Sequence, residues 1–149
     1  MIATEHKIEI RRLTRKEMYQ LLNEASNEEI KYISKFSADQ DLDPCEFFEN
    51  FSHEYLGMVE DGRPVYVATL MKDNDGQYDF WTVANKDINN MISLCKNAKK
   101  ILNKWLGKYR LINAYMPKGN LESIKWVEWL GFEKIDEDED SIHFIIKGD

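Results

Sequence analysis

Amide side chains lie at two points where the sequence predicts the start of a helix. Asn89 and Asn90 precede the apolar positions of a long lysine-bearing helix, and Asn120 precedes those of a shorter helix near the C-terminus. A helix N-terminus has unpaired N–H groups and a dipole that favour anions, and amide side chains add further donors. Weak binding of an anionic group is therefore physically available at the first of these helix starts.

Other reactive side chains are not arranged for a familiar chemistry. The three histidines are scattered along the chain, and Cys45 and Cys95 have neither the number nor the spacing of a disulfide framework or a zinc site. No Ser-His-Asp order is recognisable. These patterns disfavour a metalloenzyme and a triad hydrolase, and no metal site is predicted.

The composition is typical of a folded, soluble chain. Its 149 residues with 43% hydrophobic content can bury one core, so a single domain over residues 1–149 is predicted. The net charge of −7 disfavours general nucleic-acid binding, because phosphate contacts supply most of that affinity. No apolar run approaches the ~20 residues of a membrane span, and no apolar signal core precedes the domain, so neither membrane contact nor export is expected.

Capping residues and apolar spacing predict the elements of the N-terminal half. A strand is predicted over residues 6–12, and three short helices follow it. Their caps are Thr14, Ser26 and Asp43, each with a glutamate three positions later. Residues 37–42 are polar and acidic, which predicts a loop between the second and third helices.

Turn signals and apolar runs predict the second half. Strands over 54–60, 64–71 and 77–83 are joined by Asp61-Gly62-Arg63 and by Asn74-Asp75-Gly76, which indicates an antiparallel meander. A helix over 88–106 follows, with its lysines on one face and Gly107 as its stop. Strands over 109–116, 132–135 and 142–146 complete the pattern.

The last helix has the clearest boundaries. Asn120 can accept hydrogen bonds from the first turn, and Gly131 can adopt the left-handed conformation that ends a helix. Between them an apolar stripe recurs at three-residue intervals, at Leu121, Ile124, Val127 and Leu130. A capped helix that packs on the core is predicted here.

This asparagine, helix and Gly131-Phe132 arrangement resembles the closing helix of GNAT-type acyl-CoA N-acyltransferases. The upstream order of a strand meander followed by one helix agrees with that family. The resemblance implies an α/β (α+β) fold, with a central, mostly antiparallel sheet of six to seven strands flanked by helices.

The same resemblance implies a binding site for acetyl-CoA or CoA. Strand four, around Thr82 and Val83, would hold the thioester through its backbone, and Asn90 and Ser93 would help to hold the pyrophosphate. Asn120 would lie beside the pantetheine arm.

The family's pyrophosphate motif, Gln/Arg-x-x-Gly-x-Gly/Ala, is not conserved in this stretch. Its three defining positions are Ile88, Met91 and Ser93 here. Glycine allows a backbone to approach phosphate oxygens closely, and side chains at these positions hinder that approach. Tight cofactor binding is therefore not expected from the loop.

Groups for proton transfer are also scarce. The position of the family's general-acid tyrosine, seven residues after Asn120, is Val127. Asp79 and Glu60 are the acidic residues that could accept a proton from an amine, although neither is strongly indicated. No catalytic residue is assigned from the sequence.

A second resemblance covers about the last two thirds of the chain. The stretch over residues 54–147 resembles the internal virion protein A family of short-tailed coliphages, which is itself GNAT-like. The shared features are Gly62-Arg-Pro-Val-Tyr, Phe80-Trp81, the lysine-rich helix, Gly119-Asn120 with Ser123-Ile124-Lys125, and Phe144-x-Ile146-x-Gly148. That family also lacks the glycine pair and the tyrosine.

Two functions follow as hypotheses. The preferred hypothesis is a phage protein, located in the virion or the host cytoplasm, that acts in virion structure or assembly through phage structural proteins and has little or no catalysis. The alternative is an active N-acyltransferase that transfers an acetyl group from acyl-CoA to a primary amine. A nucleic-acid mimic is disfavoured, because 20 lysines and arginines are interspersed with the acidic residues.

Overall fold

The computed structural model describes residues 7–88 and 91–148, except for the side chain of Glu28. Within these ranges the chain forms five helices and seven strands. In chain order they are β1 (Ile8–Arg11), α1 (Arg15–Glu24), α2 (Asn27–Asp39), α3 (Pro44–Phe51), β2 (Ser52–Glu60), β3 (Arg63–Lys72), β4 (Tyr78–Ala84), α4 (Met91–Tyr109), β5 (Leu111–Pro117), α5 (Leu121–Leu130), β6 (Glu133–Glu137) and β7 (Ser141–Lys147).

All seven strands join one sheet in the order β1-β2-β3-β4-β5-β7-β6. Every neighbouring pair is antiparallel except β4 and β5, which run parallel. The predicted α/β fold with a mostly antiparallel sheet flanked by helices is confirmed. None of the helices in the described ranges is long and apolar enough to cross a membrane.

The three predicted N-terminal helix starts are confirmed. The side chains of Thr14, Ser26 and Asp43 accept hydrogen bonds, at 3.1, 3.3 and 2.9 Å, from the backbone N–H groups three residues later. At α1 the Glu17 carboxylate also accepts from the Thr14 N–H, which completes a reciprocal capping box. Such caps satisfy donors that have no partner within the helix.

The helices divide into two layers, one on each face of the sheet. Helices α1, α2 and α3 cover one face around a core that includes Leu21, Phe48 and Val83. Helices α4 and α5 cover the other face around Phe80, Trp105 and other buried residues. Because side chains alternate along a strand, β3 and β4 contribute to both cores.

The predicted loop over residues 37–42 is wrong at its start, because α2 continues through Asp39. Ser37 is 2% exposed, and its hydroxyl donates to the Ser34 carbonyl at 3.2 Å. A serine that satisfies its hydroxyl inside the helix is compatible with helical structure. Polarity alone therefore misplaced this boundary.

The boundaries of α4 also differ from the prediction. Ile88 lies outside the helix, which over the described residues runs from Met91 past Gly107 to Tyr109. Arg110, with φ of +64°, adopts the left-handed conformation that Gly107 was expected to supply. Leu106 lies on the buried face of α4, so core packing extends the helix through the glycine.

Helix α5 agrees with its prediction apart from its first residue. The Asn120 side chain accepts from the Ser123 N–H at 3.2 Å, and Gly131 has φ of +109°. Val127 and Leu130 are buried as expected, whereas Leu121 is 66% exposed. The stripe therefore contacts the core only from the second turn onward.

Replacing Gly107 by Ala should stabilise the protein by about 0.5–1 kcal/mol, because glycine is unfavourable inside a helix and a new Cβ meets open space. The matched variant Gly131→Ala should destabilise it, since φ is positive there and the new Cβ would lie 3.2 Å from Ile146 Cδ1. Urea unfolding of both variants measures these changes. A destabilised Gly107→Ala protein would contradict the helical assignment of this residue.

Candidate functional site

Strands β4 and β5 pair at a single position. Asp79 lies opposite Asn113, and beyond this point the two strands have no further pairing. The opposite edge of β4 pairs with β3 along its whole length, and the opposite edge of β5 pairs with β7 along its whole length. A gap therefore opens between residues 80–84 and 114–117, inside the sheet rather than at its edge.

Asn113 lies at the vertex of this gap and is 2% exposed. Its amide nitrogen donates to Gln77 Oε1 at 3.1 Å and to the Tyr78 carbonyl at 3.4 Å. Its oxygen accepts from His143 Nε2 at 2.7 Å. The asparagine thus links β5 to the start of β4 and to β7, and all three bonds lie at the closed end of the gap.

Beyond the vertex, one edge of β4 has no strand partner within the described chain. The Asn85 N–H donates to the Val65 carbonyl at 2.9 Å, so Asn85 and Val83 direct their backbone groups toward β3. Thr82 and Ala84 alternate with them and direct theirs into the gap. Of the two residues predicted to hold a thioester, Thr82 therefore has the backbone groups that face the gap.

A solvent-open cavity of about 480 Å³ occupies the gap on the face covered by α4 and α5. A much smaller cavity of about 30 Å³ lies beside α2, where Tyr32, Trp81 and Tyr115 line it, and it shares part of the wall of the large cavity. Both cavities are lined by Glu29, Thr82, Asn120 and Ser123. Asn120, predicted to bind the cofactor, thus lies where the two cavities meet.

The segment between β4 and α4 forms the outer wall of the large cavity. Asn85, Lys86, Ile88 and Met91 line it, and Met91 is 53% exposed. The Asp87 N–H donates to Asn85 Oδ1 at 2.8 Å, and the Lys86 N–H to the Glu24 carbonyl at 2.9 Å. These bonds attach the segment to β4 and to the end of α1.

Of the two residues predicted to hold pyrophosphate, the structure describes only Ser93. Asn90 lies outside the described residues. Ser93 is in the first turn of α4, where its hydroxyl and carbonyl accept from Asn97 Nδ2 at 3.3 and 2.9 Å, and it does not line the cavity. Val127 is fully buried and its side chain carries no proton donor, so that position of α5 contributes no acid to the cavity.

Asp79 lies on the opposite face of the sheet from the large cavity. Burial, with a smaller contribution from the negative charge of Asp73, raises the pKa of its carboxyl to about 7. Its Oδ1 is buried and accepts no hydrogen bond within the described chain. Tyr32 and Tyr115, which line the small cavity, both have pKa values raised in part by the charge of Asp79, after a larger effect of burial.

Aromatic rings lie on the face of the sheet that carries Asp79. Tyr32 stacks on Trp81 with ring centres 5.5 Å apart, and its hydroxyl donates to the Tyr115 carbonyl at 3.3 Å. Tyr115 in turn stacks on His143 with centres 4.3 Å apart. Glu60, the other candidate base, pairs with Ile8 and Arg63 at the far end of β2 and is remote from the vertex.

Sequence reasoning missed Tyr66, Glu29 and Tyr32 as residues of the gap. Tyr66 lies in an apolar strand, and Glu29 and Tyr32 lie in a helix, so the sequence predicted only core or surface positions for them. No spacing along the chain shows that β3 and α2 approach the end of β4. The meeting of these elements is decided by strand order.

Comparison with solved structures reveals the same fold in known enzymes. An acetyltransferase of the GNAT family from Bacillus anthracis is 16% identical, with a TM-score of 0.68 and 94% of each chain covered. The PaiA N-acetyltransferase from Thermoplasma acidophilum, in complex with coenzyme A, is 18% identical, with a TM-score of 0.64, and 95% of this chain and 99% of that chain are covered. A mutant form of the SpeG spermidine N-acetyltransferase from Vibrio cholerae is 13% identical, with a TM-score of 0.66, and 94% of this chain and 93% of that chain are covered.

No protein-family model matches the chain, and no curated protein sequence matches it. The structural comparisons provide no support for a phage origin or for a place in a virion. At these identities the likeness concerns the fold. The chain therefore has the fold of the GNAT acetyltransferases.

Proposed function

We propose that this protein is an acyl-CoA-dependent N-acyltransferase that transfers an acetyl group to a primary amine. The observation that carries the proposal is the gap between β4 and β5, where a solvent-open cavity shares its wall with a small cavity whose lining residues Tyr32 and Tyr115 interact electrostatically with the half-buried Asp79 carboxylate. Two reactants can approach such a gap from opposite faces and meet at the open edge of β4.

The residues present fit an acyl-CoA. A cavity of about 480 Å³ lies within the range of small-molecule sites, roughly 300–1,000 Å³. Thr82 would bond the thioester end through its gap-facing backbone, with Val83 as its neighbour in the strand, and Asn120 would lie beside the pantetheine arm. Asn90 and the N-terminus of α4 would hold the pyrophosphate, and Ser93, which lies outside the cavity lining, would stabilise the first turn of that helix through its bonds to Asn97.

Asp79 has the properties of a general base for this reaction. Bound acyl-CoA supplies the acyl group as an activated thioester. The amine nitrogen forms a bond to the carbonyl carbon, the carbon–sulfur bond breaks, and the electron pair of that bond leaves with sulfur. Asp79 accepts the proton that the amine loses, since a carboxylate with a pKa near the working pH is effective in this role.

The chemistry around Asp79 favours a protonated amine as the second reactant. The carboxylate attracts a cation, and Tyr32 and Tyr115, which interact electrostatically with it, line the small cavity through which an amine would approach.

A binding role in a phage particle is the second candidate, based on the resemblance to the internal virion protein A family. Its supporting observation is the wall of the cavity, where Ile88 and Met91 place side chains at two of the pyrophosphate-motif positions. In that role the protein would contact phage structural proteins in the virion or in the host cytoplasm, and the fold would serve as a scaffold.

Acetyl-CoA should raise the melting temperature of the protein in a concentration-dependent way, because a ligand that binds only the folded state stabilises it. The measurement is a thermal shift titration into the millimolar range, with adenosine triphosphate as the control for general anion binding. A flat response to acetyl-CoA would reject the acyltransferase and favour the particle role.

Replacing Asp79 by Asn should lower acyl transfer by about 100-fold or more, because the reaction loses its proton acceptor. The wild-type rate should increase with pH through a pKa near 7, and this dependence should disappear in the variant. Rates with a small alkyl amine across the pH range provide the measurement. Glu60→Gln is the matched control, as a buried acid remote from the gap, and should retain the wild-type pH profile.

The same variant should be more stable than the wild type at alkaline pH. Asp79 binds its proton more tightly in the folded chain than in the unfolded chain, where its pKa is about 3.9. Wild-type stability should therefore fall as pH rises from about 4 through 7, by on the order of 1–3 kcal/mol, and the variant lacks this loss. Urea unfolding at acidic and alkaline pH measures it, and an equal stability difference at both would contradict the assignment.

Introducing the missing motif should strengthen cofactor binding. The triple variant Ile88→Arg, Met91→Gly and Ser93→Gly removes side chains from the phosphate approach and should tighten CoA binding by about tenfold, as read by calorimetry. The variant Ile88→Arg alone separates the effect of charge from that of the glycines. An unchanged affinity in the triple variant would show that the loop is not what limits binding.

A further inference from the structure

The solvent-facing side of α4 is strongly basic, in a chain whose net charge is −7. The helix contains five lysines and no acidic residue, and this lysine face consists of the exposed side chains of Lys96, Lys99, Lys100, Lys104 and Lys108. Within the described chain only Lys108 of these forms an ion pair, with Glu54 at 3.7 Å. Lysines four residues apart repel one another on a helix, so folding alone does not account for the row.

Aromatic side chains of α5 connect the lysine face to the wall of the large cavity. Lys99 Nζ lies 5.0 Å from the centre of the Trp129 ring. Trp129 stacks on Trp126 with ring centres 5.9 Å apart, and Trp126 lines the cavity. The lysine face and the cavity therefore belong to one continuous surface.

Large apolar side chains are exposed on the same surface. Met91 and Ile92, in the first turn of α4, are 53% and 71% exposed, and Leu121 and Trp129 on α5 are 66% and 50% exposed. Met91 also lines the cavity. Single exposed apolar residues are ordinary, but a group of them that includes Met and Trp, beside a charged rim, is typical of a protein interface.

The lining of the large cavity is balanced in charge, unlike the lysine face. Among the described residues, Lys86 and Lys125 line it together with Glu29 and Glu122. The excess of positive charge on this side of the molecule therefore lies outside the cavity, on α4. The interior suits an uncharged pantetheine arm, whereas the exterior suits a negatively charged surface.

The filled positions of the pyrophosphate motif favour the same kind of donor. Ile88 and Met91 line the cavity with side chains at two motif positions, which hinders the close approach of a diphosphate to the backbone. A pantetheine arm that is attached to a protein ends in a single phosphodiester and has neither a diphosphate nor a nucleotide to accommodate. Such a donor loses nothing when the motif is replaced.

Resting on the proposed acyl transfer, we infer that the lysine face of α4 docks an acidic carrier protein that presents the acyl group on a phosphopantetheine arm, as a second and more efficient donor than acetyl-CoA. The arm enters the cavity, and the carrier remains outside on the lysines and the exposed apolar side chains. The amine nitrogen bonds to the acyl carbon, and the carbon–sulfur bond breaks with its electron pair on sulfur. Asp79 accepts the proton of the amine, and the thiolate that remains on the carrier takes a proton from water.

The first test compares three donors of the same acetyl group with one alkyl amine. They are acetyl-CoA, acetyl-pantetheine, and a bacterial acyl carrier protein acetylated on its phosphopantetheine arm. The value of kcat/KM should be about tenfold or more higher for the carrier protein than for acetyl-CoA. Raising the salt concentration from about 50 to 500 mM should remove most of this advantage, because salt screens attraction between exposed charges, and should change the rate with acetyl-pantetheine by less than about twofold.

The second test reverses charge on the docking surface and on a matched surface. The double variant Lys96→Glu with Lys100→Glu should lower kcat/KM for the carrier protein by about tenfold or more and leave acetyl-pantetheine within about twofold. The control is Lys31→Glu with Lys35→Glu, an exposed pair with the same spacing on α2, on the opposite face of the sheet. The control has the same net charge as the first variant and should stay within about threefold of the wild type for the carrier protein.

The outcomes separate the inference from the proposed function. Equal losses in the two double variants would assign the effect to net charge and overturn the inference. A kcat/KM no higher for the carrier protein than for acetyl-CoA, in a protein that uses acetyl-CoA, would overturn it as well and leave the proposed function standing. Tighter binding of an RNA oligonucleotide than of the carrier protein, abolished by the α4 variant, would also overturn it. Absence of transfer from all three donors would overturn both.

Discussion

The single pairing between Asp79 and Asn113 is the constraint on which the rest of the site depends. A parallel pair held at one position, with antiparallel partners on both outer sides, must diverge, because each strand follows the twist of its own neighbours. The divergence exposes one backbone edge of β4 in the middle of the sheet. Thr82, the cavity and the helix start of α4 lie along that edge and acquire their positions from it.

The site retains polar groups that the fold leaves unsatisfied. Asp79 Oδ1 accepts no hydrogen bond in the described chain, and on the opposite face of the sheet the buried Tyr66 hydroxyl interacts with Trp126 and Thr82 without a well-formed hydrogen bond. By contrast, Asn113, buried at the vertex, uses both its donor and its acceptor. The buried Asn113 has its hydrogen-bonding groups satisfied and holds the geometry of the gap, whereas a buried polar atom without a partner beside the gap requires an explanation.

Much of the fold was predictable from short-range patterns. The caps at Thr14, Ser26 and Asp43 and the ends of α5 were confirmed, because a cap depends on residues within one turn. The end of α4 was not predictable in this way, since packing of Leu106 continues the helix through Gly107. The sequence also shows that the pyrophosphate-motif glycines are replaced by Met91 and Ser93 and the general-acid tyrosine by Val127, and these replacements favoured a role with little or no catalysis.

The sequence by itself determined the elements, their order and the placement of Asn120 at the head of α5, because these follow from propensity, periodicity and capping among near neighbours. Only the tertiary structure decided that Tyr66 from β3, Asp79 and Thr82 from β4 and Asn120 from α5 surround one gap. The order of the strands and the divergence of β4 from β5 are properties of the assembled sheet. The spacing of residues along the chain does not show which side chains of different strands lie on the same face. The burial that raises the pKa of Asp79 likewise exists only once the sheet has formed.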